Sequence, residues 1–187
     1  DIVSDTILDI DFDYSYLFNF NVGDEASFLL RTVLKTDAFD YKANDTLSHI
    51  QLFDNYYAYD DGSAEAGYGL NGQGTKNASA AVHFKAFKPD TLRAVDLYFN
   101  QIEDSLNLDY FFYLKVWDNN NGKPGDLIYE ELGLRPMYDT VLNKFVRYEL
   151  DSAIFVEGDF FLGWGKTVDK MSNIGLDLNF INSSNNF

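Results

Sequence analysis

The chain has no cysteine among its 187 residues. That removes thiolate metal sites, thiol nucleophiles and redox dithiols at once. Basic residues are scarce: 14 Lys and Arg stand against 30 Asp and Glu, for a formal charge of −16. A polyanion without a Lys/Arg cluster repels nucleic acid and anionic lipid, so a nucleic-acid partner is excluded. No apolar run approaches the ~20 residues of a membrane span, so direct membrane insertion is not expected either. The first residues, DIVSDTILD, carry neither a basic n-region nor an apolar h-region, and they are not a signal peptide. Histidine is limited to His49 and His83, each inside a strand-like run. No GxSxG elbow, HExxH or paired Cys/His set is present. No catalytic residue is nominated, and a hydrolase domain is the remote alternative.

Aromatic residues are abundant at 17%, which sets the chain apart from disordered polyanions. A chain this long buries roughly 70% of its unfolded surface, enough for a core without metal or disulfide. The pattern of that core is period two. In Asp9–Asn21 (DIDFDYSYLFNFN), Ile10, Phe12, Tyr14, Tyr16 and Phe18 share one parity, and Asp9, Asp11 and Asp13 share the other. Ala26–Lys35 and Asp45–Phe53 read as two more strands, the latter with Leu47, His49, Gln51 and Phe53 on one side. Ala78–Phe87 reads as a strand stopped near Pro89, followed by Thr91–Asn100 and Asp109–Asp118. Leu127–Leu132, Phe145–Leu150 and Asp159–Trp164 continue the series, and no window shows a helical stripe. The expected fold is all-β with very little helix: two antiparallel sheets in a jelly-roll-like sandwich. Val95, Leu97, Phe99, Phe112, Leu114, Val116, Phe160, Leu162 and Trp164 are its expected core.

Several motifs invite a chemical reading. Gly67-Tyr68-Gly69-Leu70-Asn71-Gly72 matches GxGxxG, but a dinucleotide site needs a strand before it and a helix after it. Here an acidic turn precedes and a strand-like run follows, so the glycines are loop punctuation and no cofactor is expected. Asp60, Asp61 and Glu65 could supply oxygens to Ca²⁺, as could Asp118, Asn121 and Asp126 with Asn119. Asp and Asn also fix turns by bonding nearby backbone N–H groups, and that explains the same residues. Trp117 lies on the less apolar side of its strand and is the candidate for stacking against a sugar ring. Trp164 shares the parity of Phe160 and Leu162 and belongs to the core.

The segments NYYAYDDGSAEAGYGL (55–70), DTLRAVDLYF (90–99), VWDNNNGKPGDLIY (116–129), RPMYDTVLNKFVRYEL (135–150) and VEGDFFLGWGKTVDKMSNIGLDLN (156–179) carry a resemblance. In order and spacing they resemble a β-sandwich module of large surface and secreted proteins exported by the type IX secretion system. The resemblance spans about residues 45–180; it implies a β-sandwich module over residues 45–187, with residues 1–44 either completing the sandwich or ending a preceding Ig-like module. It implies a location that is extracellular or on the outer-membrane cell surface, and a piece of a longer protein. It also implies a non-catalytic spacer or interaction module whose partners are other domains of the same chain or other surface proteins. A glycan-binding module is the alternative. Six Asp-Ser/Thr-apolar or Thr triplets stand where chance at this composition gives about one. They look like the O-glycosylation sequon of bacteria with that export system. The acceptor hydroxyls would be Thr6, Thr46, Thr91, Ser105, Thr140 and Ser152.

Overall fold

Alternating side chains become strands among the described residues. A computed structural model describes residues 25–35, 45–100, 109–170 and 172–178. Of these residues, 60% lie in strands and 1% in helix, and every ladder is antiparallel. The chain divides into two compact units, Asp1–Tyr57 and Ala58–Phe187. The alternating run Asp9–Asn21 lies outside the described residues.

In the first unit, β1 (Ala26–Val33) pairs with β2 (Thr46–Phe53) from Ala26↔Phe53 to Val33↔Thr46. Thr46–Phe53 thus lies in the first unit. Phe28 and Phe53 meet edge to face at 5.9 Å. Large apolar side chains stand exposed on both faces: Leu30 and Leu47 on one, Leu29, Ile50 and Leu52 on the other.

The second unit is built on β4 (Ser79–Leu97), β5 (Phe112–Asn119), β6 (Pro124–Leu134) and β7 (Val146–Lys166). They form one sheet in the order β4-β7-β5-β6. β3 (Ala66–Tyr68) and β8 (Ile174–Leu176) form a separate two-stranded ribbon. Ile174 of that ribbon bridges to Phe99, just beyond the end of β4, and packs on the core of this all-β, sandwich-like fold.

Parity decides what the large sheet buries. Val95, Phe99, Phe112, Leu114, Tyr148 and Trp164 form one cluster; Ala86, Val116, Val156 and Phe160 form a second beside it. The rings of Phe99, Phe112 and Tyr148 lie 5.2–6.4 Å apart in tilted and edge-on pairs. Each fully buried ring or aliphatic chain contributes about 1.5–3 kcal/mol. Leu97 and Leu162, expected inside, are half-buried at the edge of these clusters.

Two strand boundaries differ from the expectation. Pro89 does not stop its strand. β4 runs on through it for 19 residues, and the register shifts between Ala86 and Asp90. Proline lacks the N–H that a ladder needs, so an edge strand with an irregularity is where it is tolerated. Gly158, across the ladder from Ala86, has φ +66 and absorbs the mismatch. The expected strands Phe145–Leu150 and Asp159–Trp164 likewise merge into β7, with a second shift between Leu92 and Ala94 of its partner. The hairpin between β5 and β6 closes as its composition indicates. Asn121 and Gly122 take φ of 53° and 79°, and Asn120 and Lys123 exchange backbone hydrogen bonds at 2.9 and 3.2 Å. Two left-handed residues in a two-residue loop are what the twist of the flanking strands demands.

Tyr148 anchors the loop after β6. Its buried hydroxyl donates to Arg135 O at 3.1 Å and accepts the Met137 N–H at 2.8 Å. Burial pushes the phenol up to about 12. Tyr148→Phe leaves both loop groups without that partner and should cost about 1–3 kcal/mol, read as a lower urea midpoint. The unfolded phenol ionises near pH ~10. The contribution of Tyr148 is therefore complete below that pH and is lost as pH rises toward 12. The phenylalanine variant should show a correspondingly smaller alkaline loss of stability between those two values.

Candidate functional site

Two regions hold the residues with chemical potential: the acidic turn at Asp60-Asp61-Gly62, and the sheet face that carries Trp117. In the turn, Gly62 has φ +86, a conformation open to glycine. Its N–H donates to Asp60 Oδ1 at 3.0 Å, and the Ser63 N–H donates to Asp61 Oδ1 at 2.9 Å. The Ser63 hydroxyl lies 2.6 Å from Asp61 Oδ1 and 2.7 Å from Glu65 Oε1. Across the fold, Asp177 Oδ2 accepts the Asp61 N–H at 3.0 Å, and Glu65 Oε2 accepts the Leu178 N–H at 3.0 Å. The Ser63 hydroxyl, then the Leu178 amide, hold the Glu65 carboxyl below its ordinary range. These carboxylates stitch the turn to the segment after β8.

Nearby aromatics serve packing. Tyr59 stacks on Phe84 at 5.2 Å, and burial, followed by the Asp159 carboxylate, raises its phenol. Beside the turn a shallow cleft of about 80 Å³ is lined by Asp60, Asp96, Tyr98, Phe145 and Asp177. Asp96 is held in a two-point contact by Arg147, Nε–Oδ1 2.8 Å and Nη2–Oδ2 2.9 Å. Pockets for drug-sized ligands run from about 300 Å³ upward, and this cleft is far smaller.

The second acidic run is spread along a hairpin. Asn119 Oδ1 accepts the Gly122 N–H at 2.8 Å, and Asn121 donates to Asn120 Oδ1 at 3.0 Å. The Asp118 carboxylate lies against Gly125, where a Cβ would come within 2.2 Å of Oδ1. Asp126 is exposed. Among the described residues no three His, Asp or Glu side chains are grouped so as to hold a metal ion.

The glycine-rich loop leads from β3 into β4, a strand and not a helix, so no helix N-terminus awaits a pyrophosphate. What fastens the loop was not legible in its own residues. Lys166, at the end of β7, is 1% exposed. Its ammonium donates to Leu70 O, and to Thr75 Oγ1 at 2.8 Å. Burial lowers its pKa, partly opposed by Asp169. Asp169 Oδ1 accepts the Lys76 N–H at 2.6 Å. The signal for Lys166 was its parity: it shares the core side of β7 with Leu162 and Trp164. Gly67 is required by close approach, since a Cβ there would stand 1.8 Å from the buried Asn173 Oδ1.

No family model, curated protein or solved structure matches this chain.

Its sites therefore rest on their own geometry. Trp117 is half-buried, paired across the sheet with Phe161 on one side and Leu127 on the other. Phe161 is 0% exposed and lies 5.1 Å from the His83 ring. On the same face His83 Nε2 meets Asp159 Oδ1 at 2.9 Å, and Lys115 Nζ meets Glu130 Oε2 at 3.2 Å while resting over the Tyr113 ring. Trp164 is buried in the core. Of the triplet hydroxyl residues, Thr91, Thr140 and Ser152 are exposed and Thr46 is half-buried; Thr6 and Ser105 lie outside the described residues.

If the acidic turn is fixed by its own hydrogen bonds, Asp61→Ala should cost about 1 kcal/mol, the scale of a lost local bond. Melting in excess EDTA and then in millimolar Ca²⁺ should give the same temperature. A rise of several degrees with calcium, abolished by Asp61→Ala, would make the turn an ion site instead.

Proposed function

We propose that this chain is a non-catalytic β-sandwich module of an exported cell-surface protein, acting as a spacer or interaction module. Its partners are other domains of a longer chain or other surface proteins, and its location is extracellular or at the outer-membrane surface. One observation carries the non-catalytic part of this reading. The side chains with the look of a site are occupied in holding backbone: Asp60, Asp61 and Glu65 in the acidic turn, Asn119 in the hairpin, Lys166 at the glycine loop. The resemblance to type IX-exported modules supports the location. The exposure of Thr91, Thr140 and Ser152 leaves room for O-glycans, as the triplets suggest.

Glycan binding is the second reading, favoured by one feature. Half-exposed Trp117 shares its sheet face with the Lys115–Glu130 and His83–Asp159 pairs, a ring beside hydrogen-bonding groups. Affinity electrophoresis through soluble polysaccharides, with a glycan array in parallel, separates the two. The spacer reading expects no retardation; retardation lost in Trp117→Ala would replace it with the glycan-binding reading. Intact-mass measurement of material from the native host addresses the modification: glycan mass on peptides containing Thr91, Thr140 or Ser152 is expected, and a bare polypeptide would refute it.

A further inference from the structure

The chain contains two Asn-Gly pairs, Asn71-Gly72 in the glycine loop and Asn121-Gly122 in the β5–β6 hairpin. Such a pair has a reaction open to it: the glycine nitrogen can attack the asparagine Cγ, because a glycine presents no Cβ to block the approach. Exposure does not separate the two, since Asn71, Gly72, Asn121 and Gly122 are all exposed.

Hydrogen bonding separates them. The Gly72 N–H donates to Oδ1 of Asn71 itself at 2.9 Å. The attacking nitrogen therefore already faces the side-chain amide, the kind of pre-set approach that speeds an intramolecular step. The loop is held there from both sides. The Gly72 carbonyl accepts the Thr75 N–H at 3.2 Å and Thr75 Oγ1 at 2.8 Å, and the Leu70 carbonyl accepts the Lys166 ammonium. In the hairpin the Gly122 N–H is committed to Asn119 Oδ1 at 2.8 Å, and the Asn121 amide donates to Asn120 Oδ1 at 3.0 Å. The acidic turn resembles the hairpin: the Gly62 N–H goes to Asp60 at 3.0 Å and not to its direct neighbour Asp61. Asp54-Asn55 and Asp90-Thr91 repeat the Asn71 contact at 2.6 and 2.7 Å. There an ionised carboxylate resists attack, and the attacking nitrogen belongs to a residue with a side chain.

We propose that Asn71 is a self-modification site, deamidating through a succinimide while Asn121 is spared. The Gly72 nitrogen gives its proton to water and bonds to Asn71 Cγ, and the side-chain nitrogen leaves as ammonia. Water then opens the ring. Opening at the side-chain carbonyl leaves an aspartate; opening at the main-chain carbonyl leaves an isoaspartate, whose chain runs through the side-chain carbon. Either product adds a negative charge. The isoaspartate also lengthens the backbone by one methylene between the carbonyls that Lys166 and Thr75 hold.

The test is incubation of the folded protein at mildly alkaline pH, with a sample in concentrated urea as reference, then proteolytic digestion and mass spectrometry. In urea both pairs should react at similar rates. In the folded protein the peptide with Asn71 should gain about one mass unit and separate into aspartate and isoaspartate forms. It should do so about tenfold faster than the peptide with Asn121. Asn119→Ala frees the Gly122 N–H and should speed the reaction at Asn121; an unchanged rate at Asn71 in that variant reports an intact fold. Equal rates at the two sites in the folded wild-type protein, or a faster rate at Asn121, would overturn the proposal. So would an Asn121 that stays as slow in Asn119→Ala as in the wild type.

Discussion

The larger unit depends on the pairing of β7 with strands on both of its sides. From Phe160 to Lys166 it holds β5 along one edge, and over most of its 21 residues it holds β4 along the other. Its alternate residues Phe160, Leu162 and Trp164 face the core together with Phe112, Leu114 and Val116. A slip of one residue would turn this set to the other face, so apolar burial itself fixes the register. The ribbon of β3 and β8, the glycine loop and the loop anchored by Tyr148 are all placed with reference to that face.

Polar side chains finish what the ladder begins. Short loops expose backbone N–H and C=O groups, and each needs a partner. Asp60, Asp61, Glu65 and Asp177 accept N–H groups around the acidic turn; at the glycine loop Asp169 accepts the Lys76 N–H, and the Lys166 ammonium donates to Leu70 O. An excess of acid over base suits this arrangement, because carboxylates are acceptors and loops leave donors to satisfy. The same chemistry that suggests calcium or catalysis in a linear sequence is thereby used in the architecture.

Much of the fold was legible because period two survives even where aromatics crowd every position. Val95, Phe112, Leu114, Val116, Phe160 and Trp164 are buried as their parity requires. Strand ends were less legible. Pro89 reads as a stop because a proline breaks a ladder bond, yet an edge strand loses nothing if that bond faces away from its partner. β3 and β8 are three residues each, too short for any period to show, and their glycines are explained by Asn173, Ala64 and Tyr98 approaching from elsewhere. The acidic turn was legible as a turn from Asp-Asp-Gly alone. Its links to Asp177 and Leu178, more than a hundred residues away, depend on tertiary placement that no local pattern encodes.

Native-state hydrogen exchange, resolved residue by residue, is the most direct test of this account. Amides that open last mark the cooperative centre of a domain. If β7 is that centre, the amides of residues 160–166, together with their partners in β4 and β5, should exchange slowest in the whole chain. Those of the β1–β2 hairpin, with exposed apolar residues on both faces, should exchange long before them. Comparable or slower exchange in β1–β2 or in β3–β8 than in residues 160–166 would contradict the claim that β7 organises the structure.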